Sequence, residues 1–154
     1  MAGHCMAEKA LIKRWVEKAE EDFGYASLSM KEGLSFFPQI CWHFQQAAEK
    51  YLKAYILACE LEFRKIHDLV ALLKIYQANE PSFESLFESC TYLHRFYVET
   101  RYPVAWEINY SLEDTLKAQN ATRHIKEFIT KHLPPLKATC SVKLLFNKRG
   151  TVTY

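Results

Sequence analysis

The sequence is short of the two residues that make turns, holding only 4 Gly and 5 Pro in 154 positions. An all-β fold reverses direction often and needs many such positions, so the shortage argues against it and favours a few long helices. Long apolar runs are missing too. None approaches the ~18 residues that span a bilayer, and the N-terminus lacks a charged-then-apolar leader, so a cytoplasmic protein without membrane contact is expected. Neither sign of charge dominates: Lys and Arg total 20 against 18 for Asp and Glu. The net charge of +2 sets up no broad field for nucleic acid, and any RNA contact has to be local. The five Cys, at 5, 41, 59, 90 and 140, form no CxxC pair and read as reduced, mostly buried thiols. A Gly-rich phosphate loop, HExxH, GxSxG and an EF-hand loop are all absent, which leaves P-loop nucleotide binding, zinc proteolysis and hydrolase chemistry without a motif. The six His are scattered without metal-ligand spacing, and no resident cofactor or metal is expected.

What remains is 49% hydrophobic residues in a length that suits one compact core. Helical periodicity marks a first helix from Lys9 to about Lys31, with Leu11, Trp15, Ala19, Ala26 and Ser29 recurring and Gly33 as its stop. A second runs from Phe37-Pro38 to about Glu60, its core arc formed by Cys41, Phe44, Ala48, Tyr51, Leu52, Tyr55 and Cys59. A short third helix fits Asp68 to Gln77, with Leu69, Leu72, Leu73 and Tyr76 inward. A fourth runs from an N-cap at Ser82 to about Arg101, with Leu86, Cys90, Leu93 and Tyr97 on one face, and Pro103 blocks its continuation. After a connection over 102–109, Ser111 with Asp114 three residues on resembles a helix start. Ala118, Ala121, Ile125, Phe128 and Ile129 then line a last helix that stops near Pro134-Pro135. The expected fold is all-α, an antiparallel up-and-down bundle of four long helices plus one short helix. The bundle occupies residues 9–133, and 134–154, which lacks helical periodicity, is expected to be a flexible or partner-packed tail.

Several polar residues fall where apolar ones would be expected. Asp22 lies about 20° from Trp15 around the first helix, inside its apolar stripe. Arg101 lies between Cys90 and His94 in angle, close to Tyr97, so it too starts on the inward side. Buried charges need partners, and Asp22 with Arg101 is the simplest pairing. That pair suits either a bundle-fixing salt bridge or a pocket at the helix ends. On the second helix His43, Gln46, Lys50 and Lys53 line up opposite the core arc, interrupted by the small Ala47 and Ala54. Such a face can bind an anion, receive a partner helix or simply face water. Gln45 falls inside the apolar arc and needs hydrogen bonds there. Asp68 suits the cap of the third helix with His67 held just before it. His67 and His94 have the proton affinity a general base needs.

These pieces occur in a recognisable order: Ala19 to Asp22, Gln45-Gln46-Ala47-Ala48-Glu49-Lys50 with Lys53-Ala54, His67-Asp68-Leu69, and Thr100-Arg101-Tyr102-Pro103 before a final Ala-rich helix. From about Lys13 to Leu133 the chain resembles the HEPN domain, the "higher eukaryotes and prokaryotes nucleotide-binding" family, of prokaryotic type. The resemblance implies a small helical bundle, commonly a homodimer, that often works with a minimal nucleotidyltransferase in a toxin-antitoxin module and contacts nucleotide or RNA. It also implies metal-independent RNA cleavage in many members. Those members pair an Arg with a His after a gap of four to six residues, but behind Arg101 the corresponding places hold Trp106, Glu107 and Ile108. Without that imidazole, activation of an RNA 2′-hydroxyl lacks its obvious base, whereas Arg101 keeps the planar donors that hold a phosphate. The expectation is therefore a binding protein rather than a standard ribonuclease, with Arg101, Asp22, Tyr97, His43, Gln46 and Lys50 as ligand-binding residues. The alternatives are an endoribonuclease toxin that recruits His67 or His94 beside Arg101, and a purely structural interaction module in which Asp22 and Arg101 lock the packing.

Overall fold

A computed structural model describes residues 2–77, 80–100 and 109–134, with side chains from Glu8 onward. It is an all-α bundle with no strand among the described residues: α1 (Ala2–Lys31), α2 (Phe37–Ala58), α3 (Leu69–Gln77), a 3-10 turn (Pro81–Leu86), α4 (Phe87–His94), α5 (Phe96–Glu99) and α6 (Leu112–His132). The expected Arg101, the 102–108 part of the connection and the tail from 135 on lie outside the described residues.

α2 is the hub and packs against each of the other helices. Its burial extends almost all round: Ile40, Cys41, Phe44, Ala47, Ala48, Tyr51, Leu52, Ala54 and Ile56 are inside, and so are Gln45, Glu49 and Lys53. α1 and α6 run antiparallel, as Ser27 with Gln119 and Glu20 with Lys126 show by pairing in reversed order. α6 is pinned to α2 where the Thr122 hydroxyl donates to the Phe44 carbonyl at 3.1 Å.

Helix ends follow local chemistry. Gly33, at φ 71, closes α1 as the sequence predicts, its N–H reaching the Met30 carbonyl and that of Leu34 the Ser29 carbonyl. The same pattern closes α2 with Glu60 at φ 56, a conformation that a residue with a Cβ pays for. Asp68 caps α3 through Oδ1, which accepts from Val70 N at 2.9 Å and Ala71 N at 3.0 Å. Ser111 and Asp114 make a reciprocal capping box at α6.

Three expectations change. The α1 stripe runs through Ile12, Ala19 and Ala26, a seven-residue step, so Leu11 turns outward and is 44% exposed. The fourth long helix is segmented: the side chain of Glu80, not Ser82, takes the cap, and a 3-10 turn precedes α4. With about three residues per turn, that geometry puts Phe83 and Leu86 on the same side, and both are fully buried. The break at Arg95 is mild, since Arg95 keeps helical dihedrals and its carbonyl accepts from Glu99 N at 3.3 Å. Beyond it Phe96 takes the buried place and Tyr97 is half-buried.

Candidate functional site

Around α2 the polar residues form a continuous belt. At ~100° per residue, His43, Lys50, Gln46, Lys53, Glu49 and Gln45 follow one another through an arc of ~160°. α1 covers one end of the belt. There the Asp22 carboxylate lies 3.0 Å by Oδ1 from His43 Nδ1 and accepts from Lys50 Nζ through Oδ2. The Tyr25 ring lies tilted against the His43 ring, centre to centre at 4.5 Å. Burial pushes the Asp22 carboxyl up, but the bonds from His43 and Lys50 outweigh it and hold the group below the usual aspartate range. The expected open face of His43, Gln46, Lys50 and Lys53 is therefore closed: the partner helix that Ala47 and Ala54 admit is α1 of the same chain, and both alanines are fully buried. The expected partner of Asp22, Arg101, falls outside the described residues, and both Asp22 oxygens are engaged without it.

The other end of the belt carries a buried carboxylate. Glu49 Oε1 accepts from Lys53 Nζ at 2.7 Å, and its side chain and that of Lys53 are only 5% and 6% exposed. His67 Nδ1 lies 3.0 Å from Oε1 and 3.2 Å from Oε2, and Gln45 Nε2 donates to Oε2 at 3.3 Å. Gln46 in turn donates to Gln45 Oε1 at 2.7 Å, so the buried amide finds the bonds it needs. Lys53 Nζ sits 5.8 Å from the ring centres of Trp15 and Phe63. Each of these polar neighbours of the Glu49 carboxylate can donate to it, and one full positive charge lies against it.

His67 is the exposed end of this network. Its ring stacks on Tyr97 at 4.5 Å and 12°, and its side chain is 46% exposed. With Nδ1 turned to Glu49, the other ring nitrogen, Nε2, makes no hydrogen bond among the described residues. This is the arrangement by which a carboxylate orients a histidine for proton transfer or binding. His94 is less well placed: its Nδ1 is buried without a hydrogen-bond partner among the described residues, and Asp68 Oδ1, already capping α3, is 3.7 Å away. His67, Asp68, His94 and Tyr97 nonetheless gather where α3 begins and α5 passes.

Other chemistries gain little. Burial raises the Cys41 thiol to about 11 and that of Cys90 to about 12, and it raises Cys59 too, which suits packing rather than nucleophilic attack. Among the described residues no group of three or more His, Cys, Asp or Glu could hold a metal ion, and no helix is long and apolar enough to cross a membrane. A cavity of about 260 Å³ lined by Tyr55, Cys59, Leu61, Tyr76 and Glu80 touches none of the expected site residues.

The sequence points to His67, Tyr97, Gln46 and the Asp22 group but misses Glu49, the carboxylate that holds His67 and Gln45. The signal was present, because Glu49 and Lys53 stand four apart on a helix, the spacing of an ion pair, at the margin of the apolar arc.

Comparison with known proteins agrees with this architecture. The HEPN domain profile matches residues 12–133. The crystal structure of TT1696 from Thermus thermophilus superposes with a TM-score of 0.66 at 28% identity, over 78% of this chain and 96% of that one. The crystal structure of ST0689, an archaeal HEPN homologue, superposes with a TM-score of 0.64 at 22% identity, over 80% of this chain and 98% of that one. No curated protein matches the sequence.

Proposed function

The chain belongs to the HEPN domain family, and from that premise we propose that it binds a nucleotide or RNA at the corner where α3 begins and α5 ends, as a homodimer partnered by a minimal nucleotidyltransferase. The observation that carries the ligand part is the gathering of His67, Asp68, His94 and Tyr97 at that corner, with Arg101 four residues after Tyr97 in sequence. A guanidinium holds a phosphate bidentately without any proton transfer, so Arg101 serves binding even though the residues behind it include no histidine at the ribonuclease spacing. Tyr97 and His67 add a flat, half-exposed surface of the kind on which nucleotides pack. The near-neutral net charge fits a small local contact rather than a long nucleic-acid track.

Calorimetric titration with ATP, other nucleotides and short RNAs tests the ligand part. The expected result is binding that Arg101→Ala weakens at least tenfold, and the absence of any such binding removes it. The partner part is tested by co-purification with a nucleotidyltransferase encoded beside this gene, and a protein that elutes alone counts against it.

A second reading, metal-independent endoribonuclease activity, is favoured by the contact between His67 and the buried Glu49 carboxylate. His67 Nε2 would take the proton of an RNA 2′-hydroxyl, replacing the histidine that does not follow Arg101. Cleavage in EDTA that is lost in both His67→Ala and Arg101→Ala supports this reading, and intact RNA at high protein concentration excludes it.

A further inference from the structure

We infer that the cavity where α2 and α3 both end binds a small organic amine, an ammonium group carried on a flat apolar body. The site is separate from the α3–α5 corner and does not depend on the nucleotide reading.

The place follows from where the two helices stop. α2 ends at Ala58 with Cys59 as its cap, and α3 ends at Gln77. Tyr55 and Cys59 from the end of α2, Leu61 just beyond, Tyr76 from the last turn of α3 and Glu80 beyond that line a cavity of about 260 Å³. An apolar cavity of about 150 Å³ holds a benzene ring, so this one has room for a ring with a short side chain. Its walls are mostly apolar, and their hydroxyls are already engaged. The Tyr76 ring is fully buried and set edge-on to that of Tyr55 at 5.3 Å, and its hydroxyl donates to the Leu52 carbonyl. The Tyr55 hydroxyl is bonded to Cys59. Burial pushes that hydroxyl up, the bond to Cys59 adds to this, and so does the negative charge of Glu80, which therefore acts within the cavity.

The sign of the charge decides the ligand class. Among the described residues no cationic side chain lines the cavity, and Glu80 does. Glu80 Oε1 caps the 3-10 turn, accepting from Ser82 Oγ at 2.8 Å and from Ser82 N at 3.4 Å, whereas Oε2 accepts no hydrogen bond from the described residues. The carbonyl ends of α2 and α3, the negative ends of their dipoles, meet at the same place. An anion would be repelled there, and a neutral molecule would leave Oε2 to water. An ammonium group donates to Oε2 and offsets its charge, while the apolar body lies against Tyr55, Tyr76 and Leu61.

NMR and calorimetric titrations of the full chain near neutral pH test this with three probes of one shape. Phenethylamine is a cation, 2-phenylethanol is neutral and phenylacetate is an anion. Phenethylamine is expected to shift the signals of Tyr55, Cys59, Leu61, Tyr76 and Glu80. It should bind about fivefold more tightly than the alcohol, the scale of one ion pair at an exposed carboxylate, with the acid weakest. Glu80→Gln keeps an oxygen for the Ser82 cap and should bring the amine down to the level of the alcohol. Leu61→Trp should fill the cavity and abolish binding of both, and Cys59→Met replaces it if that variant does not fold. Amine and alcohol binding alike, or an amine preference that survives Glu80→Gln, overturns the inference. So does the absence of binding, or binding that shifts signals elsewhere and persists when the cavity is filled.

Discussion

At the scale of single residues, Glu49 is where the fold and the candidate site meet. It is buried with Lys53, and removing one member of such a pair strands the other charge in the core. Glu49→Ala is expected to cost about 3–5 kcal/mol in urea unfolding, and Glu49→Leu with Lys53→Met together much less, because no charge is then left unpaired. Asp22 gives a pH-dependent prediction. Its carboxyl is held below the usual range, so the folded state binds fewer protons than the unfolded one. Its contribution is complete above the unfolded value of about 4 and fades as pH falls through the lower folded value. Urea midpoints measured between pH 7 and pH 3 should therefore show Asp22→Asn less stable than the unaltered protein near neutrality and converging with it in acid. The inward place of Asp22 was legible in the sequence, but its partners were not: Arg101 was the expected one, whereas the α1–α2 hairpin around Leu34 brings His43 and Lys50 against it. Glu49 was harder to find, because its partner His67 comes from a loop that periodicity does not place.

At the scale of elements, caps and turns account for most of the boundaries. Gly33, Asp68 and the Ser111–Asp114 box are strong local signals, and each does in the structure what its residue type suggests. Ser111→Ala should lower stability by about 1 kcal/mol, read from thermal unfolding. Glu60 is the opposite case: a residue with a Cβ at positive φ closes α2, and Glu60→Gly should raise the melting temperature by relieving a strain of about 1 kcal/mol. The segmentation of the fourth helix was not legible from period alone. Phe83, Leu86, Cys90 and Leu93 share one face of a continuous α-helix as well, so their burial does not reveal the 3-10 turn. Arg95 marks the break, its guanidinium 4.8 Å from the rings of Tyr92 and Phe96, 5.5 Å from that of Tyr110 and 3.4 Å from Asp114. It ties α4 and α5 to the start of α6, on either side of the stretch that contains Arg101.

At the scale of the whole molecule, α2 organises both stability and site. Its apolar arc makes the core, and its polar belt is closed on one side by α1 through Asp22 and opens on the other at His67. The scarcity of glycine and proline, with the helical periods, pointed to the bundle; the order of short motifs pointed to the family, which the match over 12–133 establishes. The binding reading depends on where a ligand sits. The most direct test is an NMR titration of the labelled protein with a short RNA and with AMP. The expected shifts concentrate on His67, Asp68, His94, Tyr97 and Arg101, with smaller ones at Glu49 and Lys53 behind them. No shifts, or shifts confined to the cavity between Tyr55 and Glu80 or to the outer face of α1, would contradict a ligand site at the α3–α5 corner.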